Sequence, residues 1–182
     1  MNRFRFLFAG AAAFAAALIA FAAVPVTLVK EKSRIEFVGS KPGASHTGGF
    51  KEFSVSGEVD WLDLASGRWH VEIDAGSVWA DAGGLANHLK NADFFDAQRY
   101  TTITFDSDRI ELTSPRAAIV TGRLLMLGRV VTISAPCEIT LTDAGLVVKT
   151  TFRIDRTQWG MRYGKGRIND EAEVRAVLTF QR

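Results

Sequence analysis

Near neutral pH, the side chains best placed to do chemistry are three histidines and one cysteine. His46, His70 and His88 lie far apart along the chain. None forms the i,i+4 pair or the histidine–carboxylate spacing of a zinc-binding helix. Cys137 sits in Ile133-Ser134-Ala135-Pro136-Cys137-Glu138-Ile139, an alternating strand pattern. There it reads as a small buried apolar residue rather than a nucleophile. Asp93 and Asp96 flank Phe94 and Phe95, a spacing that suits a turn at a helix end better than acid–base work. No Gly-x-Ser-x-Gly elbow is present. Gly164-Lys165-Gly166-Arg167 has the glycines of a phosphate loop but neither its strand-to-helix setting nor its Lys-Ser/Thr ending. Arg153, Arg156, Arg162, Lys165 and Arg167 cluster among Asp155, Asp170, Glu171 and Glu173. They read as a solvated loop with ion pairs or as a surface attracted to anionic lipid, with Trp159 and Tyr163 at the interface.

The elements that must position these residues are strands. Trp69, Val71 and Ile73 alternate with His70, Glu72 and Asp74, so His70 belongs to a polar, solvent-facing side. Ile103 and Phe105 alternate with Thr102, Thr104 and Asp106. Leu146, Val148, Thr150, Phe152 and Ile154 mark one long strand, and Val174, Ala176, Leu178 and Phe180 mark the last. Gly128-Arg129 and Asp143-Ala144-Gly145 are turn signals. Leu85, His88 and Leu89 fall at helical spacing and predict one short amphipathic helix, with an aromatic turn at Phe94-Phe95. About eight strands, one helix and no βαβ rhythm predict an all-β antiparallel sandwich or closed barrel. A barrel of that size can enclose one small apolar ligand, whereas a sandwich cannot.

Residues 1–29 are read as a signal peptide or membrane anchor, and residues 30–182 as the folded domain. Arg3 and Arg5 precede an Ala-rich apolar run from Phe6 to Val29. Ala20-Phe21-Ala22 offers a signal-peptidase site before Ala23. The run is also long enough to serve as an uncleaved anchor. Either outcome puts the domain outside the cytoplasm. A lone cysteine in an exported domain leaves the fold to depend on its core. The 182 residues carry a net charge of +2, which gives no argument for nucleic acid as a partner.

Several motifs occur in a fixed order: Ser45-His46-Thr47-Gly48-Gly49-Phe50, Ser77 before the helix, His88-Leu89 followed by Asp93-Phe94-Phe95-Asp96, Phe105, Gly122-Arg123-Leu124, Leu127-Gly128, and Arg156 before Trp159-Gly160. In this order and spacing the chain resembles the YceI-like family of bacterial periplasmic lipid-binding proteins. It departs from that pattern at Leu85-Ala86, where the family often has Arg-Asp, and at Thr101, where it usually has Pro.

The resemblance implies a lipocalin-like eight-stranded barrel with one helical insertion and a long apolar cavity. It further implies non-enzymatic binding or transport of a polyisoprenoid, a quinone-like lipid or another long-chain amphiphile. No cofactor is expected beyond such a lipid. A homodimer and contact with a membrane are compatible with it. The expected lining is Phe37, Phe105, Phe152, Ile154 and Leu178, with Phe94 and Trp79 near the mouth. His46 and His88 would meet there and bond a head group, or would serve only as structural histidines. Two other readings stay open at this point: an envelope interaction module with a filled core, and an enzyme acting on a lipid or quinone through His46 or His88.

Overall fold

The computed structural model describes residues 24–181. In chain order the strands are β1 (Val24–Pro25), β2 (Thr27–Leu28), β3 (Arg34–Lys41), β4 (Ala44–Phe50), β5 (Phe53–Asp60), β6 (Asp63–Asp74) and β7 (Val78–Ala80). The one α-helix among the described residues, α1 (Leu85–Lys90), follows. Then come β8 (Thr102–Ser114), β9 (Ala117–Met126), β10 (Arg129–Thr142), β11 (Gly145–Asp155) and β12 (Glu171–Gln181). All strand pairs are antiparallel.

The sheet closes on itself. β12 pairs with β3 at one end and with β2 further on, at Phe180↔Leu28. β1 in turn pairs with β5 at Val24↔Val59. The first three strands therefore act as one bent stave, β4 with β5 as a second, and β6, β8, β9, β10, β11 and β12 as one stave each. That is the eight-stranded antiparallel barrel, and closure leaves no long free edge. The fold begins earlier than the boundary expected at residue 30. Val26 donates to the Gly57 carbonyl on one side, and Val29 to the Thr179 carbonyl on the other. The remainder of the expected signal or anchor segment lies outside the described residues. Among those described, no helix is long and apolar enough to cross a membrane.

The β9–β10 hairpin shows how locally the staves are set. Met126 pairs with Arg129, so the loop is Leu127-Gly128, one residue before the expected turn. Both loop residues have positive φ, 52° and 71°. That is the type I′ geometry whose twist matches the flanking strands. Gly128 takes it without strain, whereas Leu127 is held there by its packing against the core.

The helix has only six residues and no side-chain N-cap, so it is not stable by propensity. Leu89 buries itself in the core and Leu85 packs beside it. Downstream amides then satisfy its last carbonyls: Phe95 donates to Leu89 and Ala97 to Lys90. Phe95 is the keystone of this turn. Its ring meets Phe37 at 5.7 Å and Phe50 at 5.3 Å, both edge-on.

Burial along the staves separates a hollow barrel from a filled sandwich. On β11 Gly145 and Leu146 are buried, while Val148, Thr150, Phe152 and Ile154 remain half-accessible. On β9, Ala118 and Met126 are buried, and Val120 and Leu124 between them are not. On β12, Val174, Ala176 and Leu178 are half-accessible and Phe180 is buried. The inward stripes are thus packed at the ends and open in the middle. Two apolar clusters form those ends, one around Phe50, Phe95 and Trp159, the other around Val26, Val59 and Phe180.

Candidate binding site

The open middle is a cavity of about 300 Å³. Its wall is built from the inward positions of the staves, among them Val71, Phe105, Val120, Phe152 and Leu178. Alternation does this directly: in a strand every second side chain faces the same way, so each apolar stripe becomes part of the lining. A second cavity of about 460 Å³ adjoins it at the helix end, with Lys41, His46, His88, Tyr163 and Arg167 in its wall. Phe37, Gly39, Leu89, Phe94 and Ile168 border both. The arrangement is an apolar chamber with a more polar vestibule.

Of the residues expected to bind ligand, Phe37, Phe94, Phe105, Phe152, Ile154 and Leu178 line the chamber, and His46 and His88 line the vestibule. Trp79 is a correction. It borders neither cavity, because β7 pairs Trp79 with Gly49 and Ala80 with Gly48. Gly48 and Ala80 face the vestibule, so Trp79 faces the other way. Its indole lies against Gly49, where an added Cβ would stand 2.8 Å from the ring nitrogen.

Each histidine is bonded to an aspartate. His46 Nδ1 lies 3.0 Å from Asp81 Oδ1, and the other Asp81 oxygen accepts from the Thr47 N–H at 2.8 Å. That backbone bond, ahead of His46, holds the Asp81 carboxyl below the usual carboxylate range, against an opposing effect of desolvation. His88 Nε2 lies 2.9 Å from Asp93 Oδ2. His70 Nδ1 lies 2.7 Å from Asp106 Oδ1, a pair that borders neither cavity. Asp93 thus acts as a side-chain partner to the helix as well as a turn residue. Asp96 takes the turn itself, with φ of 44°.

The vestibule is walled on one side by the loop between β11 and β12, whose burial differs from the solvated surface expected there. Arg156 is not part of a solvated basic surface: it is buried. Its guanidinium donates to the carbonyls of Met161, Tyr163 and Asn169 at 3.0 Å each, and to Ile168 and Asp170 at 3.4 Å. One planar fork therefore gathers the loop between β11 and β12. Trp159 is not interfacial either; it is 2% exposed, with its indole N–H on the Leu124 carbonyl. Tyr163 is the exposed aromatic of the loop, and its ring meets His88 edge-on and Phe94 at a tilt. Cys137 lines the chamber, and burial pushes its thiol pKa up, which disfavours the reactive thiolate. Among the described residues no group of His, Cys, Asp and Glu could hold a metal ion.

A family model described as the YceI-like domain matches residues 27–180. The chain belongs to the YceI-like family. Solved structures agree on the fold. Burkholderia cenocepacia BcnA superposes with a TM-score of 0.79 at 24% identity, over 84% of this chain and 99% of that one. A polyisoprenoid binding domain from Saccharophagus degradans, implicated in plant cell wall breakdown, gives 0.68 at 17%, over 88% and 99%. A Campylobacter jejuni YCEI protein gives 0.61 at 22%, over 72% and 83%. In sequence, a UPF0312 protein of Pseudomonas putida is 30% identical over 81 residues, which is 44% of this chain and 42% of that protein. The YceI-like barrel accounts for what the site shows: closed staves, an insertion at one end and a hollow between.

Proposed function

We propose that the protein binds a long-chain amphiphile of polyisoprenoid or quinone-like type, without turning it over, in the cell envelope outside the cytoplasm. One observation carries this reading: the barrel is open in its middle, where its lining is almost wholly apolar. An extended hydrocarbon tail gains about 0.8 kcal/mol for each methylene withdrawn from water. A narrow apolar chamber supplies that gain with few polar contacts. The vestibule, with its histidines and exposed cations, suits the polar head. The name of the Saccharophagus degradans domain points the same way.

Val24, the first described residue, already pairs with Val59, so cleavage before Ala23 would keep every described strand. That supports export by a cleaved signal. An anchor ending before Val24 would place the same barrel at the membrane. An enzymatic role through His46 or His88 gains no support from their aspartates, since His70 carries the same pairing away from both cavities.

The test is direct. The full chain, expressed in a bacterial host that exports it and purified without detergent, should carry a stoichiometric long-chain lipid in its organic extract by mass spectrometry. Folded protein that yields no lipid, and takes none up from farnesol or ubiquinone added in vitro, would sink the reading in favour of an interaction module.

A further inference from the structure

The chamber has a floor. Trp69 on β6 and Phe180 on β12 come from opposite parts of the barrel wall, and their rings meet inside it at 4.9 Å with a 40° tilt. Above this contact the inward side chains are half-accessible: Val71, Val120, Val148 and Leu178. Around it the wall closes in: Val59, Ala118 and Leu146, which border the same end of the chamber, are 1%, 2% and 3% exposed. Both rings border the chamber.

The crossbar is fixed in place. A Cβ at Gly57, opposite Trp69 in the register, would stand 2.9 Å from the indole and 2.4 Å from the Arg68 carbonyl. Only glycine lets the ring lie flat against β5. β8 shifts register between Ser107 and Arg109, opposite this point. The Trp69 N–H finds the hydroxyl of buried Ser107 at 2.8 Å instead. On the other side, Phe180 is 2% exposed and pinned between β11 and β2, opposite Leu146 and Leu28.

We infer that the Trp69–Phe180 crossbar sets the length of hydrocarbon the barrel accepts, making these two residues its determinants of tail specificity. This rests on the reading that the chamber holds the tail. A chain that reaches the crossbar can bury no further methylene, so its distal units stay in the vestibule or in water.

Calorimetric titration of the purified protein with geraniol, farnesol and geranylgeraniol tests this. In the wild type, affinity should rise with length and then level off between two members of the series. Trp69→Ala removes the crossbar, and the gain at the levelled step should return, changing the ratio of the two affinities by about tenfold or more. Phe180→Leu opens the same point from the other side with less loss of packing, and should shift the ratio in the same direction. The ratio, unlike the affinity itself, is insensitive to a general loss of stability. An unchanged ratio in both variants, once thermal melts show them folded, would overturn the inference and leave the chamber reading intact. Failure of the wild type to bind any of the three alcohols would overturn both.

Discussion

The ring of His88 stands edge-on to the ring of Tyr163, with 4.8 Å between centroids. His88 belongs to the helical insertion, and Tyr163 to the loop that Arg156 gathers between β11 and β12. Phe94 completes the group, 5.0 Å from His88 and 5.3 Å from Tyr163. These contacts bring the two segments together over the vestibule, where Phe94 also borders the chamber.

Replacing Tyr163 by Ala should therefore speed ligand release more than it weakens the fold. Aromatic pairs of this kind contribute about 0.5–1.5 kcal/mol each. Stopped-flow dissociation of a bound fluorescent fatty acid should quicken about three- to tenfold, with little change in melting temperature. An unchanged release rate would show that ligand leaves by another path.

A charge placed in the chamber should abolish binding while sparing the barrel. Phe152 is half-accessible from within, so a carboxylate there can keep some water in the unliganded protein. A bound tail would strip that water at a cost of roughly 3 kcal/mol or more, about a hundredfold in Kd. Phe152→Asp and Phe105→Asp should both lose lipid from the organic extract and keep a β-sheet circular dichroism spectrum. A folded variant that still carried its lipid would place the tail elsewhere.

Arg156 should prove a structural residue whose loss is felt in the loop. Its removal strands the carbonyls of Met161, Tyr163 and Asn169. Arg156→Ala should cost about 3 kcal/mol in urea unfolding. Arg156→Lys should recover only part of this, because an ammonium cannot reproduce the planar fork. A lysine variant as stable as the wild type would mean that charge alone, not geometry, holds the loop.

The Asp81 corner should loosen in acid. Its carboxyl pKa is lowered in the fold, chiefly by the Thr47 N–H and then by His46. A depressed carboxylate stabilises the fold above its unfolded pKa of about 3.9, and that contribution is lost as pH falls through the folded value. Asp155, lowered by the Thr157 hydroxyl and N–H, acts in the same sense. The protection factor of the Thr47 amide, its exchange measured against the intrinsic rate at each pH, should thus fall below about pH 4. Asp81→Asn should flatten that dependence and raise the exchange rate at neutral pH; a variant with the wild-type profile would remove Asp81 from the account.

The strands were readable because their signal is long. Five alternating positions from Leu146 to Ile154 fix which side faces in, and the same holds for β6, β9 and β12. β7 is three residues long, too short for alternation to declare the side of Trp79, and only its register against β4 decides. Arg156 and Trp159 look local and polar in sequence. Their burial comes from a loop returning over them, which pattern cannot show. The early start of the barrel did leave a trace: at Val24 the Ala-rich run turns β-branched, with Val24, Val26, Thr27 and Val29. The Trp69–Phe180 contact joins residues more than a hundred positions apart, so only closure of the staves reveals it.

A barrel packed at both ends and open between them also has a mechanical consequence. Unfolding is accompanied by a loss of volume that scales with the internal space it abolishes. A hollow of about 300 Å³ should make this barrel unusually yielding to hydrostatic pressure for its size. A tail that fills the hollow would remove that weakness, so cargo and wall would together resist compression that the wall alone does not.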